Sequence, residues 1–153
     1  MTIHLEPIGH VRGGRAEPID DNWDVEVCAI RLDSDRFTAE ALAGLSDFSH
    51  IDVVYHFDRV DESEIVLAAR HPRGRTDWPK VGIFAQRGKM RPNRLGVTTC
   101  RIEGVDGLDV RVRGLDAIDG TPVLDIKPHM REFEARGEVR QPEWVGELMA
   151  EYW

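Results

Sequence analysis

Val97-Thr98-Thr99-Cys100-Arg101-Ile102 and Leu108-Asp109-Val110-Arg111-Val112, flanking Gly104-Val105-Asp106-Gly107, form the stretch that decides the fold. Leu108, Val110 and Val112 alternate with Asp109, Arg111 and Arg113, so apolar side chains fall on one face and charges on the other. The glycine-bounded break between the segments supplies the backbone freedom of a hairpin turn. Upstream, Ile51, Val53, Tyr55 and Phe57 alternate with Asp52, Val54, His56 and Asp58, and Val25 to Leu32 alternates less regularly. Both predict strands, and the chain reads as mainly β.

Two helices are expected. Thr38 can cap a short one between the early strands that runs to Leu45, where Leu42 and Leu45 share a face and Gly44 hastens the end. In the other, Pro142 suits the first turn, and Val145, Leu148, Met149 and Tyr152 recur at helical spacing. No repeat, low-complexity run or linker divides the chain, so residues 1–153 are expected to form one domain. A chain of that length buries about two-thirds of its unfolded surface without disulfide or metal support. Cys28 and Cys100 sit in apolar alternating segments and read as buried thiols. The N-terminal residues lack a basic start and a long apolar core, which predicts a cytoplasmic protein with no membrane anchor.

Charge is distributed unevenly. The chain carries 20 basic against 28 acidic residues, a formal charge of −8. Yet Arg73, Arg75, Lys80, Arg87, Lys89, Arg91, Arg94 and Arg101 fall in one window whose sole acid is Asp77. Such a reversal suits an anionic group; a solvated loop whose arginines pair with acids elsewhere has the same composition. Several chemistries are excluded on spacing. There is no G-x-G-x-x-G between a strand and a helix, and Gly82 to Lys89 fails the phosphate-loop pattern, with Met90 where a hydroxyl must reach magnesium. His4, His10, His50, His56, His71 and His129 do not fall in metal-ligand pairs, so no metal is expected. No G-x-S-x-G elbow marks a serine nucleophile.

A second cluster complements the basic one. Between Gly114 and His129, Asp116, Asp119 and Asp125 closely precede Lys127 in a stretch punctuated by Asp119-Gly120 and Pro122, which reads as a stiff loop. Facing the basic loop, it would offer carboxylates for an ammonium, a sulfonium or ribose hydroxyls, beside guanidinium groups for a carboxylate or phosphate. S-adenosylmethionine needs that mixture. The alternative is that these aspartates cap turns and pair with arginines.

The combination Gly44-Leu45, Phe48-Ser49-His50, Gly82-Ile-Phe-Ala-Gln-Arg87, Arg91-Pro-Asn93, Leu95-Gly96 and Asp119-Gly-Thr-Pro-Val-Leu-Asp-Ile-Lys-Pro128 resembles the TsaA-like family. Its characterised branch, TrmO, uses S-adenosylmethionine to methylate N6 of threonylcarbamoyladenosine beside the tRNA anticodon. The resemblance runs from about Ile8 to His129. It implies a small antiparallel β-barrel-like domain, with a core at about 3–129 and a helical extension at about 130–153, a homodimer, and a cofactor site near the dimer interface. Matched by position, the cofactor would lie among Pro18, Ile19 and Asp20, then Asp58 and Arg59, then Arg87, Val97 and the turn Gly114-Leu115-Asp116. Arg87 would anchor it, with Asp116 as a polar partner. Asp125, Lys127, Arg91 and Asn93 would organise the acceptor side or the loops themselves.

The chain departs from the family pattern in places. Pro18-Ile19-Asp20-Asp21 stands where TrmO-like members carry Pro-Arg-Gln, Gln86 where threonine is usual, and His129 where tyrosine is usual. Longer TrmO proteins carry a further C-terminal domain thought to help hold tRNA, whereas Met130 to Trp153 is short and acidic near its end. With a net charge of −8 and one basic window, the composition favours the cofactor over strong tRNA binding. The expected function is an S-adenosylmethionine-dependent methyltransferase acting on threonylcarbamoyladenosine in tRNA or on a related amine or amide. The alternatives are a module that senses the cofactor without turnover, a methyltransferase of a small metabolite, and an RNA-binding partner whose chemistry resides elsewhere.

Overall fold

Eight strands build the molecule, and six of them close a barrel. The computed structural model describes residues 1–153, with strands β1 Gly9–Arg12, β2 Val27–Leu32, β3 His50–His56, β4 Ala69–Arg70, β5 Val81–Gly82, β6 Leu95–Asp106, β7 Asp109–Arg113 and β8 Pro122–Pro128, and helix α1 Glu143–Leu148. The barrel order is β1-β2-β7-β6-β3-β8, with every described pairing antiparallel, while β4 and β5 form a separate two-stranded sheet. Closure leaves no free edge. Alternate residues point inward, and Val11, Ile30, Ile51, Val53, Val110, Val112 and Val123 are fully buried. Each such side chain contributes about 1.5–3 kcal/mol relative to exposure. Cys28 and Cys100 are free and buried, as expected; burial pushes the Cys28 thiol up to about 12, and that of Cys100 higher still.

The structure sharpens four local expectations. The β6–β7 turn is tighter than the glycine pair suggested, because β6 runs through Gly104 to Asp106 and pairs it with Asp109. A register shift between Ile102 and Gly104 absorbs Glu103, and Gly104 is where the Arg111 guanidinium crosses the backbone, in space a Cβ would occupy. Between β2 and β3 there are two 3-10 turns, Ala39–Leu42 and Leu45–Asp47, rather than one helix; Gly44, at φ 85°, separates them, and Thr38 forms no side-chain cap. The stretch from Gly114 to His129 is only half loop, since its second half is β8, the strand that closes the barrel on β1 and β3. Pro122 is tolerated there as the first residue of the strand. Pro142 caps α1 rather than lying within it.

This topology gathers loops at one end. β1, β3 and β7 finish where β2, β6 and β8 begin, so residues 13–26, 57–60, 86–94 and 114–121 share one rim of the barrel. No helix is long and apolar enough to cross a membrane.

Candidate functional site

The rim is organised around one carboxylate. After β7 the chain turns at Gly114, with φ 82°, and Leu115 and Ala117 bury their side chains on either side of Asp116. Tyr55 Oη donates to Asp116 Oδ1 at 2.9 Å and lies 3.1 Å from the Asp116 carbonyl oxygen. Thr98 Oγ1 also donates to Oδ1, and Tyr152 Oη donates to Oδ2. Tyr55 and Thr98 rise from inward positions of adjacent strands, where both are buried. Gly96 makes this possible: it pairs with Tyr55, and the Tyr55 ring fills the space a Cβ would need. Burial, followed by the Asp116 charge, raises both tyrosine phenols above their ordinary value, so both remain donors through the neutral range.

A second support holds the loop after β1. Arg15 donates to the carbonyls of Ile19 at 2.7 Å, Asp21 at 2.9 Å and Asn22 at 3.0 Å, pairs with Glu26 at 3.1 Å, and stacks 3.9 Å from the Trp23 ring centroid. Trp23 Nε1 donates to the Asp20 carbonyl at 2.9 Å. The backbone polar groups of this loop are thereby directed inward, leaving the side chains of Pro18, Ile19 and Asp20 exposed on the rim. Arg59 reaches the same loop through the Ala16 carbonyl at 3.2 Å, with Asp58 exposed beside it. Arg87 donates to the Val97 carbonyl at 2.6 Å and is otherwise exposed. The charges of Arg87 and Asp20 both act on the Tyr152 phenol, which links those two residues to Asp116.

The rim thus brings together Pro18, Ile19, Asp20, Asp58, Arg59, Arg87, Val97, Gly114, Leu115 and Asp116. Leu115 is present through its backbone, since its side chain lies in the core. Arg91 and Asn93 belong to the loop itself. Arg91 donates to the carbonyls of Gln86 at 2.7 Å and Gly88 at 3.4 Å, and Asn93 supplies a left-handed turn at φ 64°. Asp125 and Lys127 stand apart on the outer wall, paired with each other at 3.1 Å; Asp125 shares a cross-strand row with Val54 and Val97. Asp119 caps the β1 end by accepting from Gly13 N at 2.8 Å.

Two clefts flank this hub. One of about 310 Å³ is lined by Asp24, His50, Arg101, Arg113, Gly114 and Trp153 among others; the second is a shallow groove at Asp58–Glu62 and Arg94. No group of three His, Cys, Asp or Glu side chains has metal-binding geometry. The donor set suits a zwitterion. Arg87 has free guanidinium edge for a carboxylate, Asp20, Asp58 and Asp116 offer acceptors for an ammonium or hydroxyls, and exposed Ile19 and Val97 offer apolar surface to a flat ring. Sequence reasoning missed Tyr55, Thr98, Tyr152, Arg15 and Trp23. The available signal was Gly96, a glycine inside a strand pattern, which marks a close approach by another group.

Comparisons with known proteins identify what the chain is similar to. A family model described as the tRNA-methyltransferase O N-terminal domain matches residues 15–135. The human and mouse proteins named tRNA (adenine(37)-N6)-methyltransferase are 35% and 31% identical over 92% and 88% of this chain. A Methanothermobacter thermautotrophicus protein named probable S-adenosyl-L-methionine-binding protein is 34% identical over 90% of this chain and 97% of its own length. The chain spans only 33% of the human relative and 32% of the mouse one. A crystal structure of TrmO from Pseudomonas aeruginosa superimposes with a TM-score of 0.75 at 28% identity, covering 94% of this chain and 62% of that one.

Proposed function

The chain belongs to the tRNA-methyltransferase O family, and on that premise we propose that it is an S-adenosylmethionine-dependent methyltransferase whose acceptor is N6 of threonylcarbamoyladenosine at position 37 of tRNA. The observation that carries the reading is the rim, where the Asp116 hub and the free guanidinium edge of Arg87 adjoin one another. Arg87 binds the carboxylate of the cofactor's methionine part. Asp116 accepts from its ammonium or ribose hydroxyls, with Asp20 and Asp58 at the margins. Bound S-adenosylmethionine supplies an electrophilic methyl group, and the protein's part is to hold an acceptor nitrogen in line with it and to exclude water.

Arg91 and Asn93 shape the loop that borders the acceptor side, whereas Asp125 and Lys127, paired with each other on the outer wall, lie outside the rim. Long-range attraction of tRNA is weak, because the chain carries −8 and five cations of the basic window already pair with loop carbonyls or nearby acids: Arg73, Arg75, Arg91, Arg94 and Arg101. A homodimer is part of the reading. Leu67 and Phe84, each 79% exposed, flank the backbone bond from Ile83 N to the Ala68 carbonyl and offer an apolar patch for a second copy. The test is transfer of label from methyl-labelled S-adenosylmethionine to tRNA carrying threonylcarbamoyladenosine and, in parallel, to tRNA lacking it. Label in the first alone supports the proposal. Cofactor binding with no transfer to either would instead make the chain a binding module.

A further inference from the structure

The 143–153 segment lies outside the stretch matched by the family model, yet it supplies one of the three hydroxyls on Asp116. Tyr55 and Thr98 both donate to Oδ1, whereas Oδ2 receives its hydrogen bond from Tyr152. A carboxylate can accept about four hydrogen bonds. With both oxygens engaged by fixed donors, the acceptor positions still available to a ligand point in a defined direction.

The delivery of Tyr152 is built rather than incidental. Asn22, held at φ 63°, turns the loop after β1 so that Asn22 N donates to the Glu151 carbonyl and Trp23 N to the Tyr152 carbonyl, both at 2.8 Å. These bonds tie the segment to the loop that carries Asp20. Trp78, itself buried, donates through Nε1 to Glu147 at 2.7 Å and anchors α1 to the basic loop. The Tyr152 ring also packs edge-on against Trp153 at 4.8 Å. Its phenol is therefore fixed by one element that touches two walls of the site, and the charges of Arg87 and Asp20 act on it.

We propose that Tyr152 is a positioning residue of the cofactor site, fixing the Asp116 carboxylate from a segment outside the matched family domain. This rests on the cofactor reading above. Tyr152→Phe keeps the ring and removes the hydroxyl, and its affinity for S-adenosylhomocysteine is compared with that of the unaltered chain by calorimetry. Hydrogen exchange at Asn22 and Trp23 reports in the same samples whether the segment remains docked. The expected result is about tenfold weaker binding, the cost of one charge-assisted hydrogen bond, with exchange at both amides unchanged. Glu147→Ala provides the contrast, since it loosens the segment without touching Asp116. Unchanged affinity in Tyr152→Phe, or weakening that only follows lost amide protection as in Glu147→Ala, would overturn the proposal and leave Tyr152 a packing residue. Failure of the unaltered chain itself to bind would refute the cofactor reading, and the role of Tyr152 with it.

Discussion

The basic loop and the acidic stretch look equivalent in the sequence, each a run of like charges among glycines and prolines, but the fold uses them in opposite ways. In the basic loop most guanidiniums hold the loop together. Arg91 binds the Gln86 and Gly88 carbonyls, Arg94 binds the Val60 carbonyl, Arg75 pairs with Asp77 and Arg73 with Asp21. Arg87 is the exception that keeps an exposed edge at the rim. In the acidic stretch the three aspartates separate: Asp116 gathers three hydroxyls, Asp119 caps a backbone turn, and Asp125 pairs with Lys127 on the outer wall. Charge density therefore does not identify a ligand group. What identifies it is whether the surrounding structure leaves a charged group fixed in place and still available.

If that contrast holds, the largest effect belongs to Asp116→Asn. An amide cannot accept from all three hydroxyls with both of its ends, so stability should fall by about 1–3 kcal/mol and cofactor affinity by at least about 100-fold. Thermal unfolding and calorimetry measure the two losses. Equal affinity in a folded Asp116→Asn chain would remove Asp116 from the site.

The next effect separates two arginines only four positions apart. Arg87→Ala should weaken cofactor binding by about 1.5–3 kcal/mol while leaving stability nearly unchanged, because its one loop contact is exposed. Arg91→Ala should do the reverse, lowering stability by about 1–2 kcal/mol through two lost carbonyl contacts. Identical profiles for the two variants would show that the basic loop does not divide its work in this way.

The smallest effect lies on the wall away from the hub. His129 sits between Glu134, at 3.3 Å from Nε2, and Asp52, at 3.0 Å from Nδ1, and these two carboxylates raise its pKa above the ordinary 6.5. A raised folded-state value means that the protonated ring stabilises the fold fully below the unfolded pKa, and that this is lost as pH rises through the folded value. His129→Gln should therefore remove part of the decline in thermal midpoint between about pH 6 and 8. Cofactor affinity should not change. An identical pH dependence in both chains would mean that the carboxylates leave the imidazole untouched.

Much of the barrel was legible because period-two alternation reports which face of a strand is buried. The strands around Ile51 and Val110 and the buried cysteines could be read this way, and the final helix from its own 3.6-residue spacing, although it stops at Leu148, short of Met149 and Tyr152. β8 escaped because Pro122, Asp125, Lys127 and Pro128 are turn formers or charges in composition; they sit in a strand because the barrel needs a sixth wall and exposes one face of it. The rim positions could be named by resemblance, since the motifs that carry it fall in loops that the barrel gathers at one end. Tyr55, Thr98 and Tyr152 could not, because a hydroxyl in an alternating strand or a helical stripe looks like any other core or interface position until Asp116 is found beside it. Nor does spacing reveal that residues 55, 98 and 152 converge, since closure of the barrel and docking of the 143–153 segment bring them together.

The most direct test of the central claim is an amide chemical-shift map of the unaltered chain titrated with S-adenosylhomocysteine. The site described here requires perturbations at Ile19–Asp20, Asp58–Arg59, Arg87, Val97 and Gly114–Asp116, with a further group at Trp23 and Tyr152, while the wall at Asp52 and His129 remains still. Perturbations confined to that wall, or none at millimolar ligand, would contradict it.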